Sequence, residues 1–541
     1  MNTEILNRTL DMIDGLKTVC ADAGLANDSS EYKIITEAFL YKYLNDRFLH
    51  ELGQLDQFSD CNDSKAVESK YVGMNDGDRE VALYELGTVA RIRPEWLLSN
   101  LYNHKGEGDF AKQFDNALLG IAQDNVEIYS VKAGQGRITL FQGVSRFIVE
   151  ENKRNGFCAA LVSALVDFSF DDALSQGYDF FSQVFEYLIK DYNKDSGSYG
   201  EYFTPHAIAS IMAKILVSDG DRNVTVYDPA AGSGTLVLAL AHEIGEENCT
   251  IYTQDRSQKA NEFMRLNLIL NGQVESLANV VHDNTLTAPR HLTEDGNSLR
   301  TFDYIVSNPP FKCDFSSDRN MLASNKYSKR FWAGVPKVPA KQPDKMAIYL
   351  MFLQHIMVSL KPSGKAAIVV PTGFLTAKSA IEKTIRKRMI DEHMLRGVIS
   401  MPSNIFANTG TNVSIIFLDK SKKYDHALLM NAADLGSKKK VGKIQRTVLS
   451  DDEIGRIISV FNANEEQDDF SVLAAYDDIE DRGYSFSAGQ YFEVKIEYTD
   501  ITPEEFQTQL NTHMDSLQKL FKESADLQQS IMTQLKGLRY E

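Results

Sequence analysis

The sequence is poor in the features that mark secreted or membrane-spanning chains. Its 541 residues hold five cysteines, Cys20, Cys61, Cys158, Cys249 and Cys313, scattered and odd in number. None forms a CxxC pair, which argues against a zinc cluster or a disulfide framework and points to a reducing, cytoplasmic setting. No apolar run approaches the ~20 residues needed to cross a bilayer. The opening stretch, MNTEILNRTLDMIDGLKTVC, has no basic segment followed by an apolar one, so neither a secretory leader nor membrane association is expected. His206, His242, His282 and His355 share no metal-ligand spacing, so no metal is expected. Internal repeats and low-complexity tracts are also absent.

Cations are in deficit too. Lys and Arg number 57 against 75 Asp and Glu, a net charge of −18. A chain this acidic is a poor non-specific nucleic-acid binder, because phosphate repels it. The deficit is uneven, however. Between Lys312 and Ser400 there are 16 Lys and Arg against 6 Asp and Glu, a local balance of +10 that leaves −28 for the rest. That segment is either a solvated basic face or a phosphate-facing surface.

What is present is an ordinary globular composition, 43% hydrophobic, with length for roughly two to four domains. Residues 1–190 read as mostly helical. Ile35, Phe39, Tyr43 and Leu44 recur at near-helical spacing, with Asp28, Ser29 and Ser30 offering a cap upstream. A polar stretch around Asp60–Asp78 reads as a loop, and apolar-periodic segments follow at Glu80–Leu101, Gln113–Ile121 and Phe180–Tyr192. Asn193 to Gly200 reads as a turn-rich linker, and Thr204 as the cap of a helix over Pro205–Val217. From residue 223 to about 420, short apolar runs alternate with amphipathic stretches, the pattern of βαβ units around a mainly parallel sheet. The chain closes in a long helix with a capping box at Thr502 and Glu505 and a sparse stripe of Phe506, Leu510, Leu517, Leu520, Leu527 and Ile531. The stripe suits either packing on the same protein or a partner. The expected organisation is a helical domain over 1–192, a catalytic domain over 193–425, an extension over 426–500 and a partner-binding helix over 501–541.

Two motifs carry chemistry. DPAAGSG, Asp228 to Gly234, follows a strand and opens a helix, and Gly232 and Gly234 permit tight turns and close ligand approach. No Lys-Ser/Thr follows, so this is no Walker loop, and the full dinucleotide pattern is missing. The next strand ends at Asp255, 21 residues beyond Gly234, where an acid can bind ribose hydroxyls. Asp228 can pair with a ligand ammonium group. A ribose and an ammonium without a pyrophosphate fit S-adenosylmethionine. Asp283, ending a third strand, suits the adenine amino group of such a ligand or is a surface turn. SNPPF, Ser307 to Phe311, ends a later strand and so faces the same crevice. An exocyclic amino nitrogen is a weak nucleophile, because its lone pair is delocalised into the ring. The Asn308 side-chain oxygen and the Pro309 carbonyl can accept its hydrogens and localise that pair. Pro309 and Pro310 stiffen the backbone, and Phe311 can stack on a base that has left its helix.

These residues, with EAFLYKYLNDRF near the N-terminus and GEYFTP at Gly200 to Pro205, resemble the methylation subunit of type I restriction-modification systems. The order YFTP, DPAAGSG, NPPF, with about 75 residues between the last two, carries the likeness. The resemblance implies a class I S-adenosylmethionine-dependent methyltransferase fold, Rossmann-like, with an N-terminal all-helical domain, and N6-adenine DNA methylation. It implies that Glu201, Tyr202, Phe203, Thr204, Pro205 and His206 line the cofactor site with Ser233, Gly234 and Thr235, that Asp255 meets the ribose, and that Asn308, Pro309, Pro310 and Phe311 hold the adenine. His206 departs from the Arg common at that place in the family. The resemblance also implies partners: a specificity subunit that reads double-stranded DNA, a second methylation subunit and a restriction and translocase subunit. About 120 residues follow the last expected strand, little room for a target-reading domain. An RNA guanine-N2 or protein-glutamine methyltransferase, and an inert assembly scaffold, remain as other readings of NPPF and its fold.

Overall fold

The apolar runs beyond residue 223 fold as a nine-stranded sheet. The structure is a computed structural model that describes residues 2–26, 30–133, 136–190, 204–218, 220–406, 411–441, 444–492 and 501–537. The suggested cap residues Asp28 and Ser29, the linker Asn193–Gly200 and the segment Glu201, Tyr202 and Phe203 lie outside the described residues. The strands are β1 (Val224–Asp228), β2 (Cys249–Asp255), β3 (Val280–His282), β4 (Phe302–Ser307), β5 (Leu360–Pro371), β6 (Leu395–Ser400), β7 (Val413–Asp419), β8 (His426–Asn431) and β9 (Ser471–Ala475). Their order across the sheet is β9-β8-β6-β7-β5-β4-β1-β2-β3. Strands β1 to β6 and β8 run one way, and β7 and β9 run against them. The sheet therefore continues past residue 420 by two strands.

The chain lays down β1, β2 and β3 outward, then returns to the other side of β1 for β4. That reversal makes the carboxyl ends of β1 and β4 the switch point where open α/β sheets bind ligands. Helices Thr235–Ile244, Gln258–Leu270, Tyr349–Ser359 and Ala380–Asp391 connect the strands. In β7 every residue is buried, the mark of a strand covered on both faces.

Ahead of the sheet, the helix Glu31–Gly53 buries residues around its whole circumference, including Ile35, Phe39, Tyr43 and Leu44. Its buried Lys42 and Asp46 pair at 2.9 Å, and Asp46 also accepts from the Phe170 amide. Tyr43 donates to the Leu270 carbonyl, and Arg265 donates to the Tyr129 and Thr139 carbonyls, so the helical region rests on the helix Gln258–Leu270.

Three local readings are corrected. The stretch Asp60–Asp78 is not a loop. Asp63 caps a helix over Ser64–Gly73, and Asn75 caps another over Asp76–Glu85, so its polar residues are helix starts. The apolar segment Glu80–Leu101 is broken after Glu85 and resumes as a helix over Leu98–His104. The helix expected over Pro205–Val217 runs His206–Leu216. Pro205 occupies the cap position, and Thr204 makes no cap bond.

Residues 1–491 form one unit and residues 492–541 a second. The second holds the helix Pro503–Gly537, about 50 Å long. Its capping box is present: the Thr502 amide donates to Glu505 Oε2 at 2.9 Å, and the Glu505 amide donates to Thr502 Oγ1 at 3.2 Å.

Behind the switch point a buried polar network holds the loop after β3. Arg330 donates to the Thr285 and Leu286 carbonyls at 2.7 and 2.8 Å, and its Nε donates to His355 Nδ1 at 3.0 Å. Thr285 in turn donates to the Pro229 carbonyl at 2.6 Å. With Nδ1 accepting, the His355 ring proton sits on Nε2, 3.2 Å from the Tyr227 hydroxyl. Burial, with the Arg330 charge beside it, holds His355 well below the usual imidazole range. The folded protein therefore keeps it neutral where the unfolded chain would protonate it. Stability from this source is complete above about pH 6.5 and is lost as pH falls below that value, by roughly 1.4 kcal/mol per pH unit until the folded group titrates. His355→Gln removes the titration. Urea midpoints at pH 7.5 and 5.5 should show a smaller acid shift for this variant than for the parent; equal shifts would refute the assignment.

Candidate active site

The turn after β1 is built around two glycines in the left-handed region. Gly232 has φ +53° and Gly234, which opens the helix Thr235–Ile244, has φ +85°. A Cβ on Gly234 would lie 2.5 Å from Met264 Sδ, so a side chain there would push the Met264 side chain aside and would also strain a left-handed backbone. Ser233 and Thr235 are buried and face each other, their hydroxyls 3.2 Å apart, and Asn267 donates to the Ser233 carbonyl. They shape the turn from within.

Asp228 is fully buried beneath this turn. Its Oδ1 accepts from the Ala230 amide and from Ser307 Oγ, both at 2.9 Å. Burial pushes its carboxyl up to about 7, against the two hydrogen bonds that favour the ionised form. Through Oδ1, Asp228 ties the ends of β1 and β4 together.

Asp255, at the end of β2, accepts from the Gly232 amide at Oδ2 (3.0 Å) and from the Ser257 amide at Oδ1 (2.8 Å). Burial raises its pKa, and those two bonds oppose the shift. A carboxylate has about four lone-pair sites, so capacity remains for a pair of hydroxyls. Asp283 lies close by but is committed: its Oδ2 accepts from Arg290 Nε at 2.7 Å and its Oδ1 from the Asn284 amide.

After β4, Asn308 is half-buried and its Nδ2 donates to Thr204 Oγ1 at 3.3 Å. This bond brings Thr204, two residues ahead of the helix His206–Leu216, onto the NPPF turn. Asn308 Oδ1 accepts no hydrogen bond among the described residues. Pro309 is buried, Pro310 is half-buried, and the half-buried Phe311 ring meets Tyr349 edge-on at 6.4 Å. His206 turns elsewhere: it is exposed, its Nε2 lies 3.8 Å from Asp179, and its ring lies 6.0 Å from that of Tyr178.

One cleft joins the motifs. It has a volume of about 600 Å³, open to solvent, and is lined by Pro229, Ala230, Asp255, Arg256, Ser257, Asn284, Thr285, Pro310, Cys313, Phe315, Ile348 and Phe352. A free-sided carboxylate at one wall and Pro310, Phe315, Ile348 and Phe352 at another suit a ligand with a ribose and a flat ring. Arg256, Asn284, Phe315 and Phe352 went unread in the sequence; the first two follow directly on the strand-end acids Asp255 and Asp283, and that adjacency was the available signal. A hollow of similar size between the helices Glu31–Gly53 and Gln258–Leu270 touches neither motif.

The sequence pattern of the N-6 DNA methylase family matches residues 176–500. A type I restriction enzyme MpnII methylase subunit of Mycoplasma pneumoniae is 27% identical over 507 residues, covering 90% of each chain. The HindI methylase subunit of Haemophilus influenzae is 25% identical, covering 80% of this chain and 93% of its own. Among solved structures, a type I restriction-modification methyltransferase subunit from Streptococcus thermophilus superposes with a TM-score of 0.68 at 21% identity, over 91% of this chain and 99% of that one. The fold is the expected class I methyltransferase fold. The chain belongs to the N-6 DNA methylase family: it is an adenine-specific DNA methyltransferase that resembles the methylase subunits of type I restriction enzymes.

Proposed function

We propose that this chain methylates adenine N6 within a type I restriction-modification complex, on a base flipped out of the duplex, at sites chosen by a separate specificity subunit. The observation that carries the reading is the convergence of Thr204, the DPAAGSG turn and the NPPF turn on one sheet edge through the Asn308–Thr204 and Ser307–Asp228 bonds. S-adenosylmethionine, held along the cleft by Asp255 and the β1 turn, supplies an electrophilic methyl group. The protein's own part is orientation. Thr204 engages Asn308 Nδ2 and so leaves Oδ1 to accept a hydrogen from the adenine amino group, which localises its lone pair. Pro309 and Pro310 fix that acceptor, and Phe311 offers its ring for the base to stack on. No strong base is required, because the amino nitrogen is neutral at the outset; the cofactor sulfur would keep the bonding pair of the departing methyl group and leave as S-adenosylhomocysteine, and the proton released from nitrogen would pass to solvent. The family match favours DNA adenine over RNA guanine-N2 or protein glutamine, and intact turn geometry favours an enzyme over an inert scaffold.

The proposed assembly pairs two such chains with one specificity subunit on double-stranded DNA, with a restriction and translocase subunit joining them. The helix Pro503–Gly537 suits the docking role, since Phe506, Leu510, Leu517, Leu520, Leu527 and Ile531 are all exposed along it.

Three outcomes test this reading. Asn308→Ala in the assembled complex should lower adenine methylation by at least about a hundredfold, as loss of a transition-state partner does, with S-adenosylmethionine affinity little changed by calorimetry. Methylation at the parental rate would overturn the role. Thr204→Val should cost about two- to tenfold in kcat, the worth of one neutral hydrogen bond, and Thr204→Ser should restore it. Deleting residues 502–541 should weaken co-purification with the specificity subunit; undiminished recovery would count against the helix as the dock.

A further inference from the structure

Several cations of the basic segment 312–400 are committed within the fold and do not face outward as free charges. Arg330 and Arg386 are buried on backbone carbonyls. Lys361 pairs with Asp303, while Lys365 and Arg396 donate to the Leu216 and Ile215 carbonyls. A second cluster of cations, outside that segment, is placed differently. The strands Ser437–Val441 and Ile444–Val448 form an antiparallel hairpin separate from the main sheet. It carries Lys438, Lys439 and Lys440, all exposed, and the half-exposed Arg446. Among the described residues none of the four is held in an ion pair.

The base of this hairpin is pinned. Thr447 donates from its amide to the Asn404 carbonyl at 3.0 Å and from its hydroxyl to the Ser403 carbonyl at 2.6 Å. The Gly436 amide donates to Glu453 Oε1 at 2.8 Å. Gly436 has φ +86°, and a Cβ there would lie 2.6 Å from Thr447 Cγ2, so the two arms close tightly at their root. Ser403 and Asn404 follow the carboxyl end of β6, and the hairpin itself follows the carboxyl end of β8. Both strands run parallel to β1 and β4, so the hairpin is rooted on the sheet edge that carries DPAAGSG and NPPF. Strands β6 and β8 lie three and four places from β4. At about 4.8 Å per place the root stands roughly 14–19 Å from the NPPF strand. That is about half a helical turn of duplex DNA.

The cross-strand register supplies an independent argument. Lys439 faces Arg446 directly, beside Lys438 opposite Thr447 and Lys440 opposite Gln445. Like charges directly opposite each other destabilise a strand pair, and an isolated two-stranded hairpin has little stability to spare. A polyanion offsets that repulsion. Lys438 and Lys440 lie on one face about 7 Å apart. We infer that the hairpin 437–448 is a backbone-contacting arm that holds duplex DNA by its phosphates beside the flipped base. The inference rests on the DNA reading above and names the surface that secures that substrate in an otherwise acidic chain.

The test combines Lys438→Gln, Lys439→Gln, Lys440→Gln and Arg446→Gln in the full chain, purified with its specificity subunit. Binding to a labelled duplex is followed by fluorescence anisotropy between 50 and 200 mM salt. Each phosphate contact contributes about 0.9 to the slope of log K against log salt, and one face of the hairpin presents two cations, so the slope should fall by about 2. S-adenosylmethionine affinity and recovery of the specificity subunit should not change. A second variant, Lys438→Arg, Lys439→Arg and Lys440→Arg, should keep the parental slope and so exclude misfolding as the cause. An unchanged slope in the glutamine variant overturns the proposal. So does loss of the specificity subunit at constant slope, which would make the hairpin a protein dock. A parental complex that binds duplex with this salt dependence but methylates no adenine would overturn the methylation reading and leave the arm standing; one that binds no duplex overturns both.

Discussion

The hydrogen bond from Ser307 to Asp228 joins the ends of two neighbouring strands, and the site depends on it. Strands β1 and β4 are adjacent only because the chain reverses direction across the sheet between β3 and β4. One contributes the glycine turn and the other NPPF, from positions 79 residues apart in sequence. A carboxyl buried under the first turn and accepting from the residue before Asn308 holds those turns in register. The second tie, Asn308 to Thr204, adds the residue two places ahead of the helix His206–Leu216. Three pieces of chain distant in sequence thus meet through two side-chain bonds.

The surroundings keep those bonds from moving. Arg330 grips the loop after β3, and Thr285 grips Pro229 from beneath. Asp255 reaches from β2 to the Gly232 amide, so the glycine turn is held from both neighbouring strands. On the far side, Arg265 is buried in donating to two carbonyls of the helical region, and burial lowers its pKa to about 10. The helices before the sheet therefore brace the helix Gln258–Leu270, whose Met264 backs Gly234.

Much of this was legible in the residues because the sheet is covered on both faces. Strands such as VSIIFLD read as unbroken apolar runs, and the glycines and prolines of the two motifs mark turns by chemistry alone. What was hidden depended on partners far along the chain. Thr204 looks like a helix cap, since caps are recognised from the next few residues, yet its hydroxyl serves Asn308, 104 residues away. Asp228 and Asp283 read as ligand acceptors from their strand ends, but their bonds to Ser307 and Arg290 come from residues 79 and 7 positions along the chain. The stretch 60–78 looks like a loop because its Asp and Asn residues favour both turns and helix starts, and only packing selects between them. The charge count over 312–400 left two readings open because it sums cations regardless of burial: Arg330 and Arg386 lie buried on backbone carbonyls, and Lys361 pairs with Asp303.

The separation of charge in this molecule has a kinetic consequence. A chain of net charge −18 whose exposed Lys438, Lys439 and Lys440 project from the catalytic edge is an electric dipole as well as an anion. In the field of a duplex such a body is turned before it is captured: its exposed lysines are drawn in while its net negative charge is repelled. Productive encounters are selected by orientation during diffusion, and loosely attached, wrongly facing states are short-lived. Weak overall attraction then serves turnover, because a methylated site does not retain the enzyme.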